Sequence, residues 1–176
     1  MPDRTIFNKI ESGQIAAASA LNPAIEQEFL RHRDDHDTRK THLFDGRYEN
    51  IYIDLKQLPS LQPVIETLRK TAAARFHCQP EDFKVGFWFN EMQPGHSTTL
   101  HAHDDFDEVL SAVYYVRAPD DSGNLVFYVQ DEQLTITPEE GHYVMFPPEL
   151  KHEVTPNQSQ ETRLSVGINL GLDIDL

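Results

Sequence analysis

Three histidines and an arginine carry the residue types and spacing in this chain that could do metal chemistry. His101 and His103, in "TTLHAHDD", stand two apart at the end of an alternating run. On a β-strand, residues two apart project to one face. His152, in "FPPELKHEV", follows a separate apolar run and a double proline. Antiparallel neighbours in a small roll of sheets could bring all three together. Imidazole suits iron, zinc, copper and nickel, and a facial set of three ligands leaves coordination positions open for substrate or oxygen. An HxH pair alone is a weak signal, because two surface histidines at a strand end read the same way. The third histidine, behind a glycine-started apolar strand, makes the metal site the better reading.

Arg163 and Ser165 lie eleven and thirteen residues beyond His152, in "ETRLSVGINL", a run that otherwise alternates like a buried strand. They point the same way. An inward guanidinium is costly unless an anion meets it. A carboxylate accepted by the planar fork, with the hydroxyl as a further donor, would satisfy that face. The alternatives are an internal salt bridge or an edge strand with Arg163 in water.

The elements that must position these groups follow from periodicity. The first half reads as mainly helical. Asn22-Pro23 looks like a helix start with Ile25 and Phe29 on one face, and Ser60 like the cap of a second helix. Leu61, Ile65, Leu68, Ala72 and Phe76 recur there at helical spacing and form a core stripe. Residues 31–42, "RHRDDHDTRKTH", read as solvated surface, His32 and His36 included. "LFDGRYENIYIDL" (43–55) reads as a hairpin turning at Asp45-Gly46. From Phe83 the period changes to two, with Phe83, Val85, Phe87 and Phe89 alternating. About seven or eight short strands follow, punctuated by Pro, Gly and Asp. Helices followed by evenly spaced strands imply an α+β chain, a helix-supported double-sheet jelly roll. We expect one domain over 1–176. Residues 1–82 would be mainly helical support with a hairpin that could act as a lid, and 83–176 the catalytic roll.

Composition narrows the partners. A net charge of −14 disfavours nucleic acid and anionic membrane and leaves room for a cationic substrate. No apolar run is long enough to span a bilayer. "IAAASAL" (15–21) resembles a cleavage region, but Asp3, Arg4, Lys9 and Glu11 interrupt the apolar stretch an export signal needs. The lone Cys78 excludes an internal disulfide and fits a reducing compartment, so the expectation is cytoplasmic.

The ordered set "HAH … LSAVYYV … SGNLVF … GHYVMFPPELKHEVTP … RLSVGIN" resembles the iron(II)/2-oxoglutarate-dependent dioxygenases. It is most similar to their small bacterial members and more distantly similar to the prolyl-hydroxylase-like enzymes. The resemblance covers about residues 83–170. It implies a double-stranded β-helix using Fe(II), 2-oxoglutarate and O2, with His152 as the distal metal ligand. It further implies that Arg163 and Ser165 bind the distal carboxylate of 2-oxoglutarate, that Tyr115 adds a hydroxyl, and that Asn169 lines the pocket. Tyr114 should face away. The family's usual triad is HxD…H, and two registers compete here: His101, His103 and His152, or His103, Asp105 and His152. Cupins share the roll and do use three histidines. Gly95, His101, His103 and Glu108 match G-x5-H-x-H-x4-E, although that pattern leaves Arg163 and Ser165 unexplained.

The leading expectation is an oxygenase that converts 2-oxoglutarate to succinate and CO2 while hydroxylating or otherwise oxidising a small, amino-acid-like substrate. The alternatives are a cupin-type metalloenzyme without 2-oxoglutarate and a non-catalytic jelly-roll binding domain. Arg47 and Glu49 of the hairpin are candidates for gripping the substrate.

Overall fold

The computed structural model describes residues 4–103 and 107–172. Two helices, α1 (Ala18–His32) and α2 (Gln62–Phe76), accompany eleven described strands. These are β1 (Glu11–Gln14), β2 (Arg39–Phe44), β3 (Arg47–Tyr52), β4 (Phe83–Met92), β5 (Thr98–His101) and β6 (Glu108–Arg117), then β7 (Leu125–Val129), β8 (Glu132–Ile136), β9 (His142–Phe146), β10 (Lys151–Val154) and β11 (Arg163–Leu172). A seven-stranded sheet in the order β1-β9-β6-β11-β4-β3-β2 faces a four-stranded sheet in the order β5-β10-β7-β8. This is the double-stranded β-helix with N-terminal helices expected from the sequence.

The central strand β11 shows how pattern becomes architecture. Leu164, Val166, Ile168 and Leu170 turn to one face and are essentially fully buried under the helices. Each such side chain contributes on the order of 1.5–3 kcal/mol by leaving water. Arg163, Ser165, Gly167, Asn169 and Gly171 turn to the other face, toward a cavity between the sheets. On β4, Phe83 and Phe89 join the helical side, while Lys84, Gly86, Trp88 and Asn90 line the cavity. A second apolar cluster, including Met92, Phe127, Val144, Phe146 and Leu150, closes the inner part of the roll.

Several local expectations are corrected. Helix α1 begins at Ala18 rather than at Asn22, from Ala17 in the left-handed region at φ 58°, and Pro23 lies inside it. Asn22 is taken by tertiary contacts: its Oδ1 accepts from the Tyr114 hydroxyl and its Nδ2 reaches Tyr115 O at 3.5 Å. Ser60 does not cap α2. A 3-10 turn over Pro59–Leu61 precedes the helix, and Ser60 Oγ and N donate to Glu28 at 2.7 and 3.1 Å. Phe76, at the helix end, is 36% exposed and meets Phe83 edge-on instead of entering the core. Residues 31–42 are not wholly idle surface, since 39–42 enter β2 and Arg39 and His42 face the cavity. Strand β1, with no alternating pattern of its own, exists because β9 pairs with it. The hairpin turn at Asp45-Gly46 is as expected.

Candidate active site

His101 ends β5 and His152 lies in β10, directly opposite it in the antiparallel ladder. His103 follows β5, and its backbone N–H donates to Pro148 O at 2.8 Å. One ligand atom from each of the three histidines can be chosen so that all lie within 4.8 Å of one another. The Nδ1 atoms of His101 and His152 sit 2.6 and 2.8 Å from the carbonyls of Thr99 and Leu150. As Nδ1–H donors to these carbonyls, both rings keep the Nε2 lone pair free, the tautomer a metal needs. Burial, with the neighbouring His101 and His103 rings acting in the same direction, pushes the His152 pKa down to about 3, so this ring stays neutral and able to ligate. Phe127 and Phe146 pack around it. Asp105, the carboxylate of the second register, lies outside the described residues.

The other end of the cavity is built around Arg163, which is fully buried. Its Nη1 donates to Gly123 O at 2.7 Å, and its guanidinium lies 5.3 Å from the Tyr115 ring centre. Among the described residues no carboxylate pairs with it. Its Nε and the Tyr115 hydroxyl are both buried without a partner. Burial lowers the Arg163 pKa and raises that of Tyr115 to about 12. The ladder sets Ser165 beside Tyr115 on one side and Asn90 on the other. Tyr114 turns away into the helical core, as strand alternation requires. A fixed cation with an orphaned donor beside a neutral phenol is what an anionic group would complete.

The cavity, of about 640 Å³, runs from Arg163 past the histidines to Asn169 and Gly171. Trp88 stands 5.3 Å from His103, ring to ring, a contact the alternation of β4 could have flagged. A Cβ at Gly167 would collide with the Trp88 indole, so glycine is required there. The hairpin supplies one wall with Arg39, stacked 3.8 Å over Tyr52, and with His42 and Asn50. Arg47 and Glu49, expected at the substrate, are instead engaged within the protein. Arg47 does not line this cavity; its guanidinium donates to Asn90 Oδ1, Glu91 O and Ser97 O at 2.9, 3.2 and 2.6 Å. Glu49 lines the cavity, but both its oxygens accept from Thr99 at 2.9 Å. Glu108, the fourth residue of the cupin pattern, is outside the histidine cluster.

The double-stranded β-helix thus brings into one cavity a histidine cluster that could hold a metal ion and a buried arginine that pairs with no carboxylate among the described residues. Residues 87–171 match the model of the 2OG-Fe(II) oxygenase superfamily. This stretch is a 2OG-Fe(II) oxygenase domain, and the protein is an iron(II)/2-oxoglutarate-dependent dioxygenase, using Fe(II), 2-oxoglutarate and O2. No curated protein matches the sequence. Among solved structures, the chain is similar in fold to a Pseudomonas putida prolyl-4-hydroxylase: TM-score 0.73, 20% identity, covering 93% of this chain and 92% of that one. A Trichoplax adhaerens prolyl hydroxylase, in complex with a hypoxia-inducible-factor peptide, has TM-score 0.69 and 13% identity over 94% and 84% of the two chains. EvdO2 from Micromonospora carbonacea var. aurantiaca, complexed with 2-oxoglutarate, has TM-score 0.68 and 16% identity over 99% and 91%. No helix among the described residues is long and apolar enough to cross a membrane.

Proposed function

We propose that His101, His103 and His152 hold iron(II), and that Arg163 and Ser165 bind the distal carboxylate of 2-oxoglutarate, with Tyr115 donating its hydroxyl and Asn169 lining the pocket. Residues 83–176 are the catalytic core, and the substrate is a small molecule that enters the cavity between the two sheets, past the hairpin wall of Arg39, His42 and Asn50. The observation that carries this reading is the pairing, in one cavity, of a three-histidine cluster with a fully buried Arg163 whose Nε has no partner. When bound, the metal supplies the redox chemistry that couples decarboxylation of 2-oxoglutarate to succinate with oxidation of a C–H bond.

The chain's own residues orient and seal. Carbonyls of Thr99 and Leu150 fix two imidazoles in their metal-binding tautomer. Arg163 and Ser165 present a charge and a hydroxyl at the closed end, so the oxoacid is held by its far carboxylate with its keto end toward the histidines. Phe127 and Phe146 keep water from the back of His152. A cupin-type site without the oxoacid leaves the orphaned Arg163 Nε unexplained.

Anaerobic mixing of the protein with iron(II) and 2-oxoglutarate tests the reading. A visible charge-transfer band should develop only when both are present, and admission of air should release succinate. A colourless mixture with folded protein would overturn it.

A further inference from the structure

The cavity face of the large sheet can be read row by row across its three central strands. The ladder sets Asn90 and Tyr115 beside Ser165, Trp88 and Val113 beside Gly167, Gly86 and Ser111 beside Asn169, and Lys84 and Glu108 beside Gly171. The innermost row belongs to the oxoacid, and Trp88, against His103, marks the level of the histidines. Apart from Asn169, which lines the oxoacid pocket in the reading above, the two outer rows hold neither group, yet their side chains are specific.

Glu108 faces the cavity only because β6 is irregular. Alternation sends Leu110, Ala112 and Tyr114 to the helices and would send Glu108 there too. The pairing skips Val109, which packs on the helical core, and this bulge returns Glu108 to the cavity side. Bulges re-aim side chains in this way beside active sites. The carboxylate is then oriented by a relay: Ser111 Oγ donates to Asn169 Oδ1 at 2.8 Å, and Asn169 Nδ2 donates to Glu108 Oε1 at 3.4 Å. Glu108 Oε2 is shielded from solvent and has no partner among the described residues. Leaving a buried polar atom unsatisfied is destabilising, and such an atom calls for an explanation. One row further in, across Asn169, the floor is low, because a Cβ at Gly86 would meet nothing within 4 Å.

We propose that Glu108 is a substrate-recognition residue whose carboxylate takes a protonated amine at the outer end of the cavity. The substrate is then a free amino acid or an alkylamine whose reacting carbon extends inward to the histidines. This rests on the iron and 2-oxoglutarate reading above. Lys84, across Gly171, gives the outer row opposite charges on its two flanks. The net charge of −14 favours the approach of a cation.

The test supplies iron-loaded protein with 2-oxoglutarate, air, and one of the free L-amino acids or linear diamines, each beside its N-acetylated counterpart, and measures succinate. A free amine should raise succinate formation at least tenfold over the no-substrate rate, and its N-acetyl form should not. Glu108→Gln should raise the KM for that amine at least fiftyfold, with Glu108→Asp between, while the iron–oxoacid band of Glu108→Gln persists and reports a folded site. The proposal is overturned if no amine stimulates, if acetylated compounds serve equally, or if Glu108→Gln leaves KM unchanged. It is also overturned if that variant loses the band, which would place Glu108 with the metal or cosubstrate. Absence of the band in the unaltered protein would overturn the underlying reading instead.

Discussion

Thr99 takes both carboxylate oxygens of Glu49, one with its backbone N–H and one with its hydroxyl, each at 2.9 Å. The carbonyl of the same Thr99 lies 2.6 Å from His101 Nδ1. A hairpin residue therefore holds the residue whose carbonyl orients the ring of a proposed metal ligand. Losing a group that orients a ligating histidine typically costs about 10–100-fold in metal affinity. Glu49→Ala should weaken iron(II) binding by about tenfold or more, and Glu49→Gln, which keeps one acceptor oxygen, by less. Competition with a chelator measures this. Unchanged affinity in folded Glu49→Ala would reduce the hairpin to a cover for the sheet.

Arg163 should dominate affinity for the oxoacid. Truncating one partner of a buried, charge-assisted pair costs about 2–5 kcal/mol, so Arg163→Met should weaken 2-oxoglutarate binding roughly thirtyfold or more. Arg163→Lys should recover only part of this, since an ammonium lacks the planar fork. Titration of the charge-transfer band gives the numbers. An Arg163→Met protein that binds the oxoacid normally would remove Arg163 from the site.

What could be read from residues alone divides along physical lines. The alternation of Phe83, Val85, Phe87 and Phe89 and that of 161–170 predict two strands, found at Phe83–Met92 and Arg163–Leu172, and imply that Arg163 and Ser165 share a face. Three histidines on two unrelated segments could be named because imidazole is a scarce, specific ligand. The β10–β5 pairing that brings His152 opposite His101 is long-range and has no local signature. Bulges defeat alternation by construction, so the cavity-facing position of Glu108 was hidden. The engagement of Arg47 and Glu49 was hidden for a related reason: residue type announces a charge but not whether the fold has already paired it.

The Tyr115 phenol gives a pH prediction. Burial pushes its pKa up to about 12, with the Arg163 charge pulling the other way. In the unfolded chain a tyrosine ionises near 10. Between about pH 10 and 12 the unfolded state has therefore lost a proton that the folded state keeps, and stability falls as pH rises. For Tyr115 the full effect is on the order of 2–3 kcal/mol. Denaturant midpoints compared at about pH 9.5 and 11.5 should drop less in Tyr115→Phe than in the unaltered protein. Tyr114, also pushed up to about 12 by burial, retains its share of the slope in both. Below pH 10 the Tyr115 hydroxyl remains a donor, so oxoacid affinity should be flat there with respect to this group. Equal midpoint shifts in the two proteins would contradict the assignment.

The two registers for the first half of the triad make opposite forecasts. His103 and His152 belong to both, so their loss cannot separate them. His101 lies opposite His152 in the β5–β10 ladder, with ring centres 4.3 Å apart. Its Nδ1 faces the Thr99 carbonyl, which leaves Nε2 toward the cluster. A ring so placed is already arranged as a ligand, at no further cost in side-chain ordering. A set of three neutral imidazoles also leaves the full charge of the ion to be met by the oxoacid, which arrives with its own negative groups. His101→Ala should therefore abolish tight iron(II) binding, a loss larger than the roughly 10–100-fold of an orienting residue, while Asp105→Ala should retain it. Equilibrium dialysis with iron(II) under argon decides between them. Retention in His101→Ala with loss in Asp105→Ala would establish the His103, Asp105 and His152 set, and retention in both would dismiss the two registers together.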